Sequence, residues 1–239
     1  YTVYQIESLI NIPINGIKVG DLGGYVQSYD NLSQDDTAWI FDNAIVYNSA
    51  KVSGNALILN NATVGDSALI FDNGTVMGDA KIRGKAQIFG DAIIGGFAHI
   101  FGNAKIYDDS HVGRLAQIHG NAKIYDNAMI ESSRIFDDSE IYGYAKVSDN
   151  SSIYGHSKIF NNATLVDANI NNTSDYMTIS PLGVHNRTLT INFNDKKISA
   201  GCFFGTLDEF KSAVDKKYEG KGNYYPVINF IEQLFNPLQ

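Results

Sequence analysis

Aliphatic residues recur at every sixth position from Ile40 to Ile130, passing through Val46, Val52, Ile58, Val64 and Ile70 and onward without a gap. Two places before almost every one of them stands alanine, from Ala38 to Ala128. A helix repeats its apolar positions at three and four, so a period of six excludes it and demands short strands with a corner in each hexapeptide. The corners carry pairs such as Asp42-Asn43, Gly54-Asn55, Asn60-Asn61, Gly78-Asp79, Gly102-Asn103 and Asp126-Asn127. These residue types tolerate left-handed dihedrals and satisfy their own backbone groups. The beat loses one residue between Ile130 and Ile135, then runs on through Ile141, Val147, Ile153, Ile159 and Leu165. Three hexapeptides close one triangular coil, which predicts about seven coils and a prism about 34 Å long at one strand spacing per coil. The loss after Ile130 is expected to be its single irregularity.

The order aliphatic, any, Gly/Asp, Asn/Asp, Ala/Ser, any resembles the hexapeptide repeat of left-handed parallel β-helix proteins. The lead-in Gly20-Asp21-Leu22-Gly23-Gly24-Tyr25-Val26, with Asn31-Leu32-Ser33, Trp39-Ile40 and the tail Gly201-Cys202-Phe203, is similar to a phage and bacterial group. Its members are described as hexapeptide-repeat proteins of unproven function or as acyltransferases. The resemblance implies a mainly β fold, a left-handed parallel β-helix, and a phage origin with the host cytoplasm as the place of action. It also implies acyl-coenzyme A as the cofactor of the enzyme reading.

The 239 residues suffice for one large domain with appendages. We read 1–37 as an N-terminal cap, 38–170 as the β-helix and 171–239 as a small α+β C-terminal domain. Solenoids need such caps because their end coils expose core. Gly16, Gly20, Gly23 and Gly24 are read as turns within the cap, since their spacing fits neither a P-loop nor a dinucleotide fingerprint. The formal charge of −8 argues for solubility and against direct nucleic-acid binding. With one cysteine, Cys202, no intrachain disulfide can form, which points to a reducing, cytoplasmic compartment. Cys202 itself reads as a small buried hydrophobe. No apolar run approaches the roughly 20 residues that span a membrane, and the start Tyr1-Thr2-Val3-Tyr4 lacks a signal-peptide pattern.

Positions 18 apart should lie above one another, and the residues flanking each beat should point outward. On the third side the residues after the beat are Ser53, Phe71, Phe89, Tyr107, Tyr125, Tyr142 and Phe160. Those before it include Lys51, Lys105, Lys123, Glu140 and Lys158. This aromatic ladder with its lysines is the candidate ligand or partner face, and its length predicts that a second subunit or the C-terminal segment covers it. Homo-oligomerisation is therefore expected. Aromatic planes beside ammonium groups suit a host protein or a small anionic ligand such as a nucleotide. On the first side Trp39, Leu57, Leu59, Met77, Ile93, Gly95, Gly113 and Met129 form a smoother apolar strip.

Acyltransferases of this fold act through a histidine that activates the acceptor, a role the resemblance assigns to His99 or His119. Register makes these two diagonal neighbours on the second side, with His111 and His156 the other histidines in the repeats. No coil from Ile40 to Ile130 holds an inserted loop to bury a substrate, so the reading leans away from an enzyme, with no cofactor and no metal. DNA mimicry is a further alternative. Residues 38–170 carry 14 acidic and 10 basic side chains, whereas a duplex of about 34 Å carries about 20 phosphates. The expected function is a non-catalytic binding protein that holds its partner on or between rigid faces, with interference in host defence as the setting.

In the tail, Thr188–Phe193 alternates as a strand and Asn194-Asp195 turns it into Lys197–Ala200. Thr206-Leu207-Asp208-Glu209 is a capping box that opens a helix with Leu207, Phe210, Val214 and Tyr218 on one face. A second helix near Pro226 is expected to bury Val227, Phe230, Ile231 and Leu234. This piece is expected to close the C-terminal end of the solenoid; the alternative is a partner-recognising module with Tyr224-Tyr225, Lys216, Lys217 and Lys221 as its exposed feature.

Overall fold

A computed structural model describes residues 2–183, 186–219 and 224–235. Each hexapeptide forms a strand of two or three residues that pairs in parallel with the strands one coil below and above. Lys81 and Ile82, for instance, lie between Thr63 and Val64 on one side and His99 and Ile100 on the other. Sheets of eight, ten and seven strands make the first, second and third sides of a parallel β-solenoid of about eight turns. Main-chain bonds run between coils, as in Lys51 N to Ala68 O and Ser53 N to Ile70 O, both 3.0 Å. The fold therefore satisfies its backbone by stacking rather than within a segment.

The beat residues and the alanines two places ahead of them are buried along the whole axis. Where serine replaces alanine in a full-length hexapeptide, its hydroxyl donates to a carbonyl three residues back, as in Ser110 to Tyr107, Ser139 to Phe136 and Ser157 to Tyr154, each at 2.8 Å. A polar group thus enters the core with its partner. The sharp turn falls two residues after the beat, where Asp42, Asn60, Asp72, Asp108, Asp126 and Asp137 are left-handed. Their carboxylates and amides reach the next coil. Asp42 accepts from Asn60 N at 3.0 Å, Asp66 from Gly84 N at 3.0 Å and Asp137 from Gly155 N at 3.1 Å.

The structure has one coil more than the repeat count predicts. Leu22–Val26 joins the second side, with Tyr25 and Val26 parallel to Ile45 and Val46, and Leu32 bridges to Val52 on the third. The lead-in is thus a coil without the repeat motif, and Tyr4–Glu7 adds an antiparallel edge to it. Gly23 and Gly24 are required by proximity: a Cβ on either would fall within 2.6 Å of a carbonyl oxygen of the coil above, Ile40 O and Ala44 O respectively. The irregularity after Ile130 also has a twin. Leu165 is followed by Ile170 on the second side, again five residues on, and both shortened edges lie between the first and second sides.

At the far end, an antiparallel sheet of Tyr176–Leu182, Arg187–Asn192, Lys197–Ala200 and Phe203–Thr206 lies against the last coil. Thr190 Oγ1 accepts from Thr164 N at 2.9 Å and Asp195 accepts from Asn169 N at 3.0 Å. Helices α1 (Leu207–Tyr218) and α2 (Tyr224–Phe235) follow. Thr206 caps α1 in the expected box with Glu209, and Phe210 and Val214 are buried. In α2 the buried positions are Tyr224, Ile228 and Ile231, while Phe230 and Leu234 are exposed. The expectation for those two fails because the helix is rotated to put Ile228 against the sheet. The expected exposed pair is also corrected: Tyr224 is buried, and the Tyr225 hydroxyl donates to Asp215 at 2.8 Å. Lys216 and Lys217 are exposed, and Lys221 lies outside the described residues.

Replacing Ile106 by alanine should cost about 2–5 kcal/mol in equilibrium denaturation. Asn121→Ala, which removes one rung of an exposed corner ladder, should cost about 0.5–1.5 kcal/mol.

Candidate functional site

On the third side the ladder forms as a continuous stack. Phe71, Phe89, Tyr107, Tyr125 and Tyr142 are nearly parallel from ring to ring, with centroids 4.8–5.1 Å apart and tilts of 4–5°. Phe160 continues it at 5.5 Å, and Tyr176 closes it edge-on at 6.3 Å. Such pairs contribute roughly 0.5–1.5 kcal/mol each beyond burial. Stacking leaves the rings half-buried. The C-terminal segment covers only the upper end, through Tyr176, whose hydroxyl donates to Lys158 O at 3.1 Å and accepts from Phe160 N at 3.2 Å.

Beside the stack, Glu140 bridges Lys123 at 3.1 Å and Lys158 at 3.2 Å. Burial opposes its charge, but hydrogen bonds from both lysines outweigh this and hold its pKa below the ordinary 4.5. Burial in the ladder, with Glu140 nearby, pushes the Tyr125 phenol up to about 12. Lys105 stands on the same face, before the beat Ile106, exposed and with no ion pair among the described residues. The aromatic and lysine candidates are thus brought onto one surface.

A second ladder, not anticipated, runs along the second side. Phe101, His119, Phe136 and Tyr154 stack at 4.6–5.1 Å with tilts of 5–15°. The same sorting by 18 applied to this side would have found it. His99 tilts against Phe101 at 4.8 Å, so the two candidate histidines are joined through a phenyl ring. The faces of His119 are taken by Phe101 and Phe136, and among the described residues neither His99 nor His119 has a hydrogen-bonding partner to orient it as a base. Burial lowers both pKa values below 6.5; Arg83, Lys81 and His119 add to this at His99, while Asp137 works the other way at His119.

Among the described residues no three His, Cys, Asp or Glu side chains gather where a metal ion could be held. No described helix is long and apolar enough to cross a membrane. Trp39 of the first-side strip is buried beneath the cap, and Met129 is exposed. In the C-terminal unit a hollow of about 270 Å³ is lined by Arg187, Cys202, Phe203, Phe210, Lys217 and Tyr224. Cys202 is exposed there, contrary to the expectation of burial, because it sits in the turn between two sheet strands. No protein-family model matches the chain, and no curated protein matches it.

The histidine pKa values are lower in the fold than in the unfolded chain, so the unfolded state binds more protons between the folded and unfolded values. Stability should therefore be level above the ordinary value of 6.5 and fall as pH drops below it. A thermal melt series from about pH 7.5 to about pH 5.5 should show this slope, reduced in His119→Phe, which keeps the stack.

Proposed function

We propose that the chain is a non-catalytic binding protein that holds a protein partner against rigid outer faces. The observation that carries this reading is the pair of half-exposed aromatic ladders along two sides of a prism without inserted loops. Every rung is fixed by the coil beneath it, so the surface is organised before it meets a partner and little side-chain entropy is lost on binding. Because the ring planes are taken up by each other, a base or sugar has no open plane to lie on along the stack. Ring edges and lysine stems instead make a flat, mixed strip of the kind protein interfaces use. A second copy of the chain is one such partner. The phage setting and a role against host defence belong to the same proposal and rest on the sequence resemblance.

The acyltransferase alternative needs an oriented imidazole beside a substrate-sized hollow. His119 instead serves as a rung of a ladder, and His99 packs on Phe101.

Calorimetric titration with acetyl-coenzyme A should show no binding. Tight binding that disappears in His99→Ala or His119→Ala overturns the reading. Phe89→Lys combined with Tyr125→Lys should abolish partner capture, or halve the mass seen by light scattering if the partner is a second copy. If capture and mass are both unmoved, the ladder is internal packing alone.

A further inference from the structure

Along part of each corner of the solenoid the second residue laces the coils together. Between the first and second sides Asn43 donates to Asn61 at 3.4 Å, and Asn61 to Asp79 at 3.1 Å. Between the third and first sides Asn55, Asn73 and Asp91 do the same at 2.9 and 2.8 Å. Between the second and third sides Asn103, Asn121 and Asp138 repeat it at 3.0 and 2.8 Å. Asn or Asp at this place laces the coils, although Ser49, Ser67, Lys85 and Tyr144 fill it elsewhere at the other two corners.

Above Asp79 the lacing stops. The next two rungs are Phe97 and Leu115, each 64% exposed. They give up the amide ladder and bury little in exchange. Beside Leu115, Arg114 holds a left-handed φ of 55° at a position that Asp42, Asn60, Gly78 and Gly96 fill in the coils below. A backbone of that kind disfavours arginine. Gly113, one residue earlier, has an ordinary φ, and a Cβ there would meet nothing within 4 Å. Neither turn nor packing requires glycine at 113, yet its absence of a side chain keeps the first side flat next to the protruding Leu115. Four local departures from what the fold prefers therefore coincide on two adjacent coils, the pattern expected where function overrides local consistency.

Around this spot cations are enriched relative to the chain, whose net is −8: Lys81, Arg83 and Arg114 stand with two carboxylates, Asp79 and Glu131. Lys81 opens the second side beside the corner and Arg83 lies two residues farther along that side, both exposed and without an ion pair among the described residues. Two bordering carboxylates are already engaged: Asp79 accepts from Asn61, and Glu131 pairs with Arg114 at 3.0 Å. The nearby His99 feels the same positive field, which adds to burial in disfavouring its protonation.

We infer that Phe97, Leu115, Arg114, Lys81 and Arg83, over the flat shelf at Gly113, form a docking site for an acidic segment of a partner protein that carries an apolar anchor. The inference rests on the binding-protein reading above and adds to the ladder faces a further contact at a corner. Exposed apolar groups with arginine at their border have the composition of an interface centre. The unpaired cations select carboxylates and speed encounter. A second copy is the competing occupant, and the test separates the two.

A random-peptide display library panned against the full chain supplies the probe, and the best enriched peptide is then synthesised. Enriched peptides should pair acidic residues with an aromatic or aliphatic side chain. The synthetic peptide should lose at least about tenfold in affinity in Arg83→Glu and in Gly113→Leu, and should weaken as salt rises. Phe97→Asn with Leu115→Asn should abolish binding while leaving the melting temperature unchanged or higher, because it completes the corner ladder. The inference is overturned if no peptide enriches, if enriched peptides lack acidic residues, or if these variants bind as the parent does. It is equally overturned if the Asn pair lowers the melting temperature, or if light scattering shows a dimer that the Asn pair dissolves. Should it fail while partner capture still depends on Phe89 and Tyr125, the binding-protein reading stands. Histidine-dependent binding of acetyl-coenzyme A would instead remove that reading.

Discussion

The hydrogen bonds between successive coils govern everything else in this molecule. Because Lys51 N meets Ala68 O and Leu69 N meets Ala86 O, each residue is held directly beneath the one a full coil later. Vertical alignment turns a sequence repeat into columns: isoleucine and valine down the axis, alanine or serine inside the corners, asparagine and aspartate along the edges. A column of like residues is stable only when the residues gain from touching their own kind. Aliphatic side chains gain by close packing, amides by donating and accepting in series, and rings by offset stacking.

That constraint explains why the surface is more ordered than in most folds. An aromatic residue on a solenoid side has its neighbours above and below determined in advance, and the spacing of about 5 Å between centroids follows from the rise of the coil. Rigid rungs bring a cost in versatility: ring planes spent on one another are unavailable to a planar ligand. The same logic makes interruptions informative. A column that changes from Asn and Asp to Phe and Leu for two rungs, beside an arginine in a left-handed turn, departs from the preference of the fold without a packing gain.

Both ends of the prism are closed by segments that lack the repeat. Tyr25 and Val26 continue the second side before the beat begins, and Gly23 and Gly24 allow them to approach the coil above. At the other end, Thr190 and Asp195 supply side-chain oxygens to main-chain N–H groups of the last coil. Terminal coils have unpaired backbone groups, so a parallel solenoid needs such partners to stay soluble and unextended.

The hexapeptide period by itself determined the parallel coils, the axis and the outward rows, because no other backbone geometry buries every sixth residue along one line. It also determined the third-side ladder from Phe71 to Phe160, since a fixed period makes vertical neighbours a matter of counting. The first coil was not legible, for Leu22–Val26 pairs through main-chain bonds and lacks the motif that marks the others. Nor was the exposure of Phe230, Leu234 and Cys202, which depends on how α2 and the turn before Phe203 seat on the sheet, contacts distant in sequence. The tertiary structure also decided that Phe97 and Leu115 stand exposed at the corner that Gly113 enters, with Lys81 beside it and Arg83 farther along the second side. That corner joins two sides of the prism, and only the closed triangle brings the sides together.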